Sequence, residues 1–299
     1  MSELVERLKT GGAVRREKLI VDFKSRDVRY PKFLTEVPLF SPVKMRKTAS
    51  ANDEEGYKFY TLNGYVERHG PGLNMFDQDT LIALLQLVPS FRLEGPASNL
   101  PIPLSMETGK DAQGNDTVVV LSGRTTARQV NKYLGRSFSD EDLQFTRDSI
   151  KRLSLTVMFI CTDCFSDTEN FEGNEYFFKY RGSSDFKGSL QFQFSPGMVT
   201  LLQNYATINL DVRKKLSPTG KAVHIYMSGH QSDQIHLTDL KSMVAPAQAL
   251  PEFRRALLGK KGRKGQLEVM KACGFLAEAT IDGNGKSAPY ILTWERVTV

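Results

Sequence analysis

The sequence predicts an α+β fold in which the order helix, turn, helix, β-hairpin occurs twice. Three observations predict it. The chain of 299 residues is longer than a usual single domain. Apolar residues recur at helical spacing in two separate series of segments, and each series ends in two β-prone segments joined by a polar or glycine-rich stretch. With 40% hydrophobic and 25% charged residues, the chain has enough apolar surface for two cores.

The first series of predicted segments lies within residues 77–180. Its predicted segments are a buried helix over 77–87, a strand over 117–121, a helix over 125–134, a helix after Ser139 and a hairpin of 155–161 with 176–180. Gly135 is expected to end the second of these helices, because glycine readily adopts the left-handed conformation found there. Ser139 is expected to cap the next helix, whose first turn is acidic and so suits the positive end of the helix dipole.

The second series begins near residue 209. Its predicted segments are a helix over 210–227 that Pro218 interrupts, a short helix over 237–244, one or two turns around Phe253 and Leu257, a helix over 266–273 and a hairpin of 276–281 with 290–297. Residues 282–285, Asp-Gly-Asn-Gly, are a strong hairpin-turn signal. A winged helix has this order, with the second helix of a helix-turn-helix in the major groove and the hairpin beside it. We therefore predict two tandem winged-helix domains.

The domain boundaries follow from the two series. We predict an N-terminal arm over 1–29, a first winged-helix domain over 30–208 and a second over 209–299. The sequence of the arm is compatible with a partner-binding segment and with a flexible tail to the same degree. Within the first domain, residues 105–116 are predicted to form a loop. The second domain is expected to provide the main sequence-specific DNA contact.

The surplus positive charge lies in the second domain. Residues 209–299 contain 14 Lys and Arg against 8 Asp and Glu, whereas residues 1–208 contain 26 of each. Seven of the cations lie within residues 252–271, where the only acids are Glu252 and Glu268. A concentrated patch of this kind binds a polyanion, because neutralised phosphates release condensed counterions. The alternative is a solvated helix face, but few compensating ion pairs are available there.

The basic cluster supplies most of the candidate DNA-binding residues. Arg263 and Gln266 are predicted to contact bases, because arginine pairs with guanine and glutamine with adenine. Lysine acts mainly as a point charge on phosphate, which predicts backbone contacts for Lys260, Lys261, Lys264 and Lys271. Arg254 and Arg255 fit either role. Asn284 and Lys286, in the predicted wing, are expected to reach an adjacent groove, and the glycines at 259, 262 and 265 are expected to let the main chain approach DNA.

The first domain has a weaker candidate surface. Its predicted DNA contacts are Arg124, Arg128, Arg147 and Lys151, which alternate with the acids Asp140, Glu141, Asp142 and Asp148. Arg147 and Lys151 are spaced i, i+4 on one helix face and are suited to backbone contacts. A protein–protein surface explains the same pattern equally well.

Several other classes find no support in the sequence. No phosphate-binding loop is present, the four histidines form no paired metal motif, and Cys161 and Cys164 lack two further ligands at zinc-site spacing. No segment has the roughly 20 apolar residues needed to span a bilayer, and the N-terminus lacks the apolar core of a signal peptide. We therefore expect a cytoplasmic protein that is not an enzyme and uses neither a metal nor another cofactor.

Four stretches carry a family likeness: Gly70–Val88, Thr125–Arg136, Leu216–His230 and Arg263–Leu276. They resemble iteron-binding plasmid replication initiators of the TrfA and RepA type, and the last is similar to the family's recognition helix. The resemblance extends over residues 30–299. It implies a bacterial plasmid protein that binds direct repeats (iterons) at an origin, opens adjacent AT-rich DNA, and recruits the host initiator and replicative helicase. It also implies monomers that bind repeats and dimers, held through the first domain, that are inactive or repress the protein's own gene and so control copy number.

Two other functions compete with this prediction. A winged-helix transcriptional repressor would use the same groove contacts but usually meets a palindrome. A strand-nicking replication endonuclease belongs to a different class, and the lack of a paired-histidine metal motif weighs against it. Structured RNA has little support as a ligand, because no aromatic platform lies beside the basic cluster.

Overall fold

The computed structural model describes residues 27–42, 57–61, 64–86, 90–94, 109–110, 116–162, 171–181, 188, 190–195, 198, 201–202, 204–260, 262–285 and 287–297. Residues 1–26 of the predicted arm and most of the predicted loop over 105–116 lie outside these ranges. The prediction of an α+β fold is confirmed, because helices alternate with open sheets in both parts of the chain.

Helices and strands are numbered here in chain order. The helices are α1 (Met75–Gln86), α2 (Ala127–Leu134), α3 (Asp140–Leu155), α4 (Leu210–Lys214), α5 (Pro218–Ser228), α6 (Leu237–Val244), α7 (Leu250–Leu258) and α8 (Gln266–Ala272). The strands are β1 (Asp27–Pro31), β2 (Phe40–Ser41), β3 (Tyr57–Thr61), β4 (Gly64–His69), β5 (Leu73–Asn74), β6 (Ser90–Glu94), β7 (Gly109–Lys110), β8 (Asp116–Thr125), β9 (Val157–Thr162), β10 (Phe171–Tyr176), β11 (Phe178–Arg181), β12 (Leu190–Phe194), β13 (Tyr205–Asn209), β14 (Ser232–His236), β15 (Gly259–Lys260), β16 (Arg263–Lys264), β17 (Leu276–Asp282) and β18 (Ile291–Arg296).

Helices α1, α2 and α3 pack together and form the helical part of the first half. Thr126 caps α2 by accepting a hydrogen bond from the Gln129 amide, and Gly135 ends it in the left-handed conformation at φ 67°. Ser139 caps α3 by accepting from the Asp142 amide. The local signals at Gly135 and Ser139 therefore do what the sequence predicts.

The predicted hairpin of 155–161 with 176–180 is wrong in its second strand. Strand β9 pairs with β10, so that Val157 lies opposite Tyr176 and Thr162 opposite Phe171. Strand β11, which includes most of the predicted partner, pairs instead with β12 in a different sheet. Because β10 is polar, its hydrophobicity does not indicate a strand. It becomes a strand by pairing with β9, in a sheet that also contains β4 and β3.

The second half follows its predicted order and adds two elements. Pro218 interrupts the first helix as predicted and begins α5 at its first turn, where the missing N–H costs no hydrogen bond. Helices α6, α7 and α8 follow, and β17 and β18 form the predicted hairpin. Strand β14, which the sequence did not reveal, pairs with β18 and completes the sheet β14–β18–β17. The short hairpin of β15 with β16 is the second addition.

Strands β1 and β13 connect the start of the first half to its end. They pair antiparallel, with Asp27 opposite Asn209 and Pro31 opposite Tyr205. The boundaries predicted after residues 29 and 208 each cut through one of these strands. The division into domains stays a prediction, but residues 27–29 belong to this sheet and not to an arm.

A buried charged cluster joins α1 of the first half to α4 and α5 of the second. The Arg213 guanidinium, 1% exposed, donates from Nε to Asp79 Oδ1 at 2.6 Å and from an Nη to Gln78 Oε1 at 2.7 Å. Lys221 Nζ donates to Asp79 Oδ2 at 2.5 Å. Burial acts to raise the pKa of Asp79, but the nearby Arg213 and Lys221 cations outweigh it and hold that pKa below its usual value. The carboxylate is therefore charged at neutral pH and connects the two halves.

Candidate nucleic-acid interface

Helix α7, the β15–β16 hairpin and helix α8 follow one another directly and form the frame of the candidate site. Phe253 and Leu257 bury one face of α7, and Leu267 and Met270 bury one face of α8. The β15–β16 hairpin, residues 259–264, is called the basic hairpin below. Its position between two anchored helices fixes both of its ends.

Two glycines close the stem of the basic hairpin. Gly259 has φ 87°, and a Cβ there would meet the backbone of residues 263–265; a Cβ at Gly265 would meet the backbone of Leu257 and Leu258. Both positions therefore require glycine for contacts within the protein. The expectation that these two glycines let the main chain approach DNA stays a prediction, and the structure gives an internal reason for glycine at both positions. Only Gly262, at the tip with φ 81° and nothing within 4 Å of an added Cβ, leaves open space.

The frame presents a group of exposed cations. They are Arg255 on α7, Lys260, Arg263 and Lys264 on the basic hairpin, and Lys271 on α8. Lys264 Nζ lies 3.3 Å from Glu268 Oε1, but both side chains are more than half exposed, so the pair contributes little. In the described part of the chain, the other four cations have no ion pair with an acid. Lys261 is outside that part. The exposed side chains are thus available to a polyanion.

Arg254 has a different environment from its neighbour Arg255. Its guanidinium carbon lies 4.5 Å from the centre of the Tyr290 ring, and the side chain is half-buried. Tyr290 directly precedes β18, at the end of the turn that joins β17 to β18 in the predicted wing. Its hydroxyl donates to the Asn284 backbone oxygen at 3.0 Å. Arg254 therefore connects α7 to the wing through a cation–π contact.

Asn284 organises the wing turn from within. Its Oδ1 accepts from the amides of Ser287 at 3.0 Å and Ala288 at 3.2 Å, and its Nδ2 donates to Ser287 Oγ at 2.8 Å. The DNA contact predicted for Asn284 is not tested, but its side chain already has partners in the turn. Lys286, predicted to act with it, lies outside the described residues.

Gln266 also has an internal partner. Its Oε1 accepts from the Ser217 amide at 2.8 Å, at the start of α5, and Gly220 lacks the Cβ that would collide with this side chain. Bidentate recognition of adenine needs the same oxygen. The structure thus gives Gln266 a role in holding α8 against α5.

The four predicted contacts of the first half are spread over three elements. Arg124 is exposed on β8, Arg128 is exposed on α2 and lies 5.9 Å from the Phe138 ring, and Lys151 is exposed on α3. Arg147, also on α3, is half-buried and donates to Gln144 Oε1 at 3.3 Å.

Two aromatic side chains on this surface were missed by the sequence analysis. Phe138, just before α3, is 48% exposed, and Phe145 on α3 is 50% exposed. Phe138 precedes the helix, so helical spacing gives no information about it, and an apolar residue on a helix, such as Phe145, is expected to face the core. Exposed aromatic rings beside charges are typical of protein interfaces.

Two other arginines of the first half point inward. Arg152 donates from Nη to Asp77 Oδ1 at 2.7 Å, and Asp77 is fully buried. Arg136 lies 3.5 Å from the Phe76 ring and donates to the Phe76 carbonyl at 3.1 Å. Burial lowers the pKa of Arg136 to about 10, so it is charged at neutral pH. These cations hold α1 against α2 and α3.

Within the described residues, no group of three or more His, Cys, Asp or Glu side chains is arranged to hold a metal ion. His224 is buried with its ring 4.4 Å from that of Phe275, and burial holds its pKa well below the usual value, so it is neutral. Cys273 is a free thiol, and Cys164 lies outside the described residues. No helix in the described ranges is both long and apolar enough to cross a bilayer.

Comparison with solved structures finds a similar fold in domains 2 and 3 of RctB. A selenomethionine crystal structure of these domains has a TM-score of 0.53 at 11% identity, covering 89% of this chain and 98% of that one. A second crystal structure of RctB domains 2–3 has a TM-score of 0.49 at 11% identity, covering 88% and 96%. No family model and no curated protein matches the sequence. At this identity the first likeness concerns the fold, and the resemblance to the TrfA and RepA type stays a prediction.

Proposed function

We propose that the protein is a plasmid replication initiator that binds directly repeated sites in double-stranded origin DNA. The observation that carries the proposal is the group of exposed cations on α7, the basic hairpin and α8. These side chains project from a frame that buried residues and tight glycine contacts fix. Because the backbone that carries these cations is already fixed, binding has to order only their side chains, which favours a specific contact over a diffuse one.

The likeness to RctB supports the same proposal. RctB is a replication initiator, and the likeness to its two domains covers most of this chain. In the first half α1 is followed by β6 to β8, α2, α3 and the pair β9–β10, and in the second half α5 is followed by β14, α6, α7, the basic hairpin, α8 and the pair β17–β18. Both halves thus place helices between a strand and a final strand pair, as expected of tandem winged helices. We therefore propose that each half is a winged helix and that the second one holds the main DNA site.

The roles of the cations follow from their chemistry. Lys260, Lys264 and Lys271 act as point charges on phosphates, whereas the planar guanidinium groups of Arg255 and Arg263 are suited to base edges. Arg254, Gln266 and Asn284 act indirectly, because their partners lie in the wing and at the start of α5. Lys261 and Lys286, which lie outside the described residues, are proposed to add phosphate contacts.

The first half is proposed to contact protein and, secondarily, the DNA backbone through Arg124, Arg128, Arg147 and Lys151. The exposed Phe138 and Phe145 rings favour protein, and the acids at the start of α3 repel phosphate. A homodimer through this half, and docking of the host initiator or the replicative helicase, are the partners that the resemblance implies.

Origin opening is proposed to need no nucleotide hydrolysis by this chain. Binding energy from contacts to bent DNA offsets the cost of separating strands, and flexible steps in AT-rich DNA melt most readily. We further propose that the protein acts in the bacterial cytoplasm without a cofactor.

Footprinting on the DNA that flanks the gene tests the proposal. The purified full-length protein is expected to protect head-to-tail sites whose centres lie whole helical turns apart, about 10.5 bp or a multiple of it. Permanganate reactivity is expected in adjacent AT-rich DNA once the sites are filled. Protection of a single palindrome without permanganate reactivity would favour a repressor, and nicking of supercoiled DNA with a divalent metal would favour an endonuclease. Either result contradicts the initiator.

A further inference from the structure

The first turn of α5, residues 217–221, is bonded to the starts of both helices that carry exposed cations. Ser217 donates its amide to Gln266 Oε1 at 2.8 Å, and Gln266 is the first residue of α8. Thr219 donates from Oγ1 to Gln248 Oε1 at 3.1 Å, and Gln248 lies two residues before the start of α7. This turn, called the junction turn below, therefore holds α7 and α8 at their first residues.

The fit between the junction turn and α8 is close. Gly220 is buried, and a Cβ at this position would collide with the side chain of Gln266. Ser217 is the N-cap of α5, and its Oγ accepts from the Gly220 amide at 3.2 Å. One residue thus caps α5 with its hydroxyl and holds α8 with its amide. A shift of the junction turn must therefore shift the start of α8 or break this contact.

The first half is bonded to the same turn. Lys221, the last residue of the turn, donates from Nζ to Asp79 Oδ2 on α1 at 2.5 Å. Arg213 donates to the other oxygen of Asp79 and also, from an Nη, to the Lys221 carbonyl at 2.9 Å. These groups are largely buried, so water competes little with the bonds. A continuous series of bonds therefore runs from α1 through the junction turn to the starts of α7 and α8.

We infer that the junction turn couples the two halves, so that the first half sets the position of the exposed cations and with it the preference for a specific site over other DNA. Nonspecific binding depends mainly on how many cations meet phosphate. A specific contact also needs those cations at fixed positions, which packed and bonded elements can impose from a distance. Lys221 and Gly220 are then positioning residues, which act on DNA through α7 and α8. This inference rests on the proposed function, because it names what positions the same site.

Breaking the bond between the halves tests the inference. Full-length protein is titrated with two duplexes of about 30 bp, roughly three helical turns. One carries a site that the wild-type protein protects in the DNA flanking the gene, and the other is of mixed sequence without that site. Lys221→Met removes the bond to Asp79 but leaves Arg213 to balance that carboxylate. It is expected to lower the ratio of specific to nonspecific affinity about fivefold, since one hydrogen bond is lost.

Lys215→Met is the matched control. Lys215 is exposed at the end of α4, so this variant removes the same charge without touching the junction turn. It should leave the ratio of specific to nonspecific affinity unchanged. Lys221→Arg keeps a cation beside Asp79 and should keep the wild-type ratio. Thermal unfolding checks that each variant is folded.

A second variant acts on the turn from the α8 end and keeps the inference falsifiable if Lys221→Met does not fold. Gly220→Ala displaces the Gln266 side chain from the turn and leaves its amide group free to contact a base. The ratio should again fall about fivefold, because the bond to Ser217 is lost. A ratio that stays at the wild-type value in this variant would mean that the turn does not position α8.

Hydrogen exchange at the Ser217 amide gives a readout that needs no DNA. This amide is bonded to Gln266, so its exchange rate reports the contact between the turn and α8. Exchange should accelerate in Lys221→Met and stay at the wild-type rate in Lys215→Met.

The outcomes separate the inference from the function beneath it. An unchanged ratio in Lys221→Met, or a Ser217 amide that exchanges at the wild-type rate in that variant, overturns the coupling but leaves DNA binding by the exposed cations intact. If the wild-type protein protects no site and binds neither duplex at low salt, the proposed function fails. The Ser217 exchange rate then decides by itself whether the first half acts on α8.

Discussion

The two halves of the chain build a similar order of helices and strands, but the cations around α1 to α3 and those on α7, the basic hairpin and α8 are used in opposite ways. In the first half, Arg136 and Arg152 are bonded into the helix packing, and the outward cations alternate with acids. In the second half, α7, the basic hairpin and α8 are held by apolar residues such as Phe253 and Leu257, and their cations point outward. The number of cations in a segment therefore says less about its partner than what those cations contact.

The connection between the halves gives the largest expected effect. Asp79→Asn removes the charge that compensates Arg213 and Lys221, leaving the Arg213 guanidinium buried without an anion. We expect the free energy of unfolding to fall by about 3–5 kcal/mol, measured by urea denaturation at neutral pH. Asp239→Asn, at an exposed position on α6, is the control and should change it by no more than about 0.5 kcal/mol. Equal effects of the two variants would mean that the cluster does not hold the halves together.

Arg152 tests the inward use of cations in the first half. Arg152→Ala leaves the buried Asp77 carboxylate without its cation and is expected to lower the free energy of unfolding by about 3 kcal/mol. Lys151→Ala, the adjacent exposed cation on α3, should change it by less than about 0.5 kcal/mol. DNA affinity of the folded Arg152→Ala protein is expected to match wild type, and a large loss of affinity would show that α3 binds DNA through this arginine.

The stem of the basic hairpin can be tested with two glycines that both have a positive φ. Gly259 and Gly262 have φ 87° and 81°, but only a Cβ at 259 meets backbone, and Gly259 also has ψ −170°, a region limited almost entirely to glycine. Gly262→Ala is expected to cost about 1 kcal/mol, the strain of a positive φ, and Gly259→Ala about 1–3 kcal/mol more through overpacking and its ψ. Thermal unfolding measures both. If the two losses are equal, the hairpin is not fixed to α7.

The wing gives the smallest expected effect on stability. Asn284→Ala removes the acceptor of the Ser287 and Ala288 amides and is expected to cost about 1 kcal/mol. Hydrogen exchange at these two amides should accelerate. Asn284→Asp retains an acceptor oxygen and should keep both amides protected. If they exchange equally fast in wild type and Asn284→Ala, Asn284 does not organise the turn.

Local signals in the sequence predicted much of the fold. Ser139, Pro218, Gly135 and the turn over 282–285 each act within a few residues of themselves, so their effects could be predicted without a structure. Strand β14 and the pairing of β9 with β10 depend on partners distant in the chain. Periodicity cannot reveal such partners, and the strand that pairs with β9 was therefore predicted at 176–180 instead of at 171–176.

The candidate site was predicted in composition but not in shape. The concentration of cations between residues 254 and 271 is visible in the sequence, whereas the basic hairpin is visible only once the glycine contacts at 259 and 265 are known. Gln266 and Asn284 were chosen for what their amides can bind, and the structure shows partners already present for both. Which polar groups remain free depends on tertiary contacts.

Salt dependence of DNA binding tests the central claim most directly, that the cations of the second half contact phosphate. For a mixed-sequence duplex of about 30 bp, log affinity falls as log salt rises. The variant Lys260→Ala/Arg263→Ala/Lys264→Ala should make this slope less steep by about two to three. The matched variant Arg29→Ala/Lys132→Ala/Lys179→Ala, at exposed cations of the first half that are not among the proposed DNA contacts, should change it by less than about one. A correctly folded hairpin variant with the wild-type affinity and slope would contradict the account.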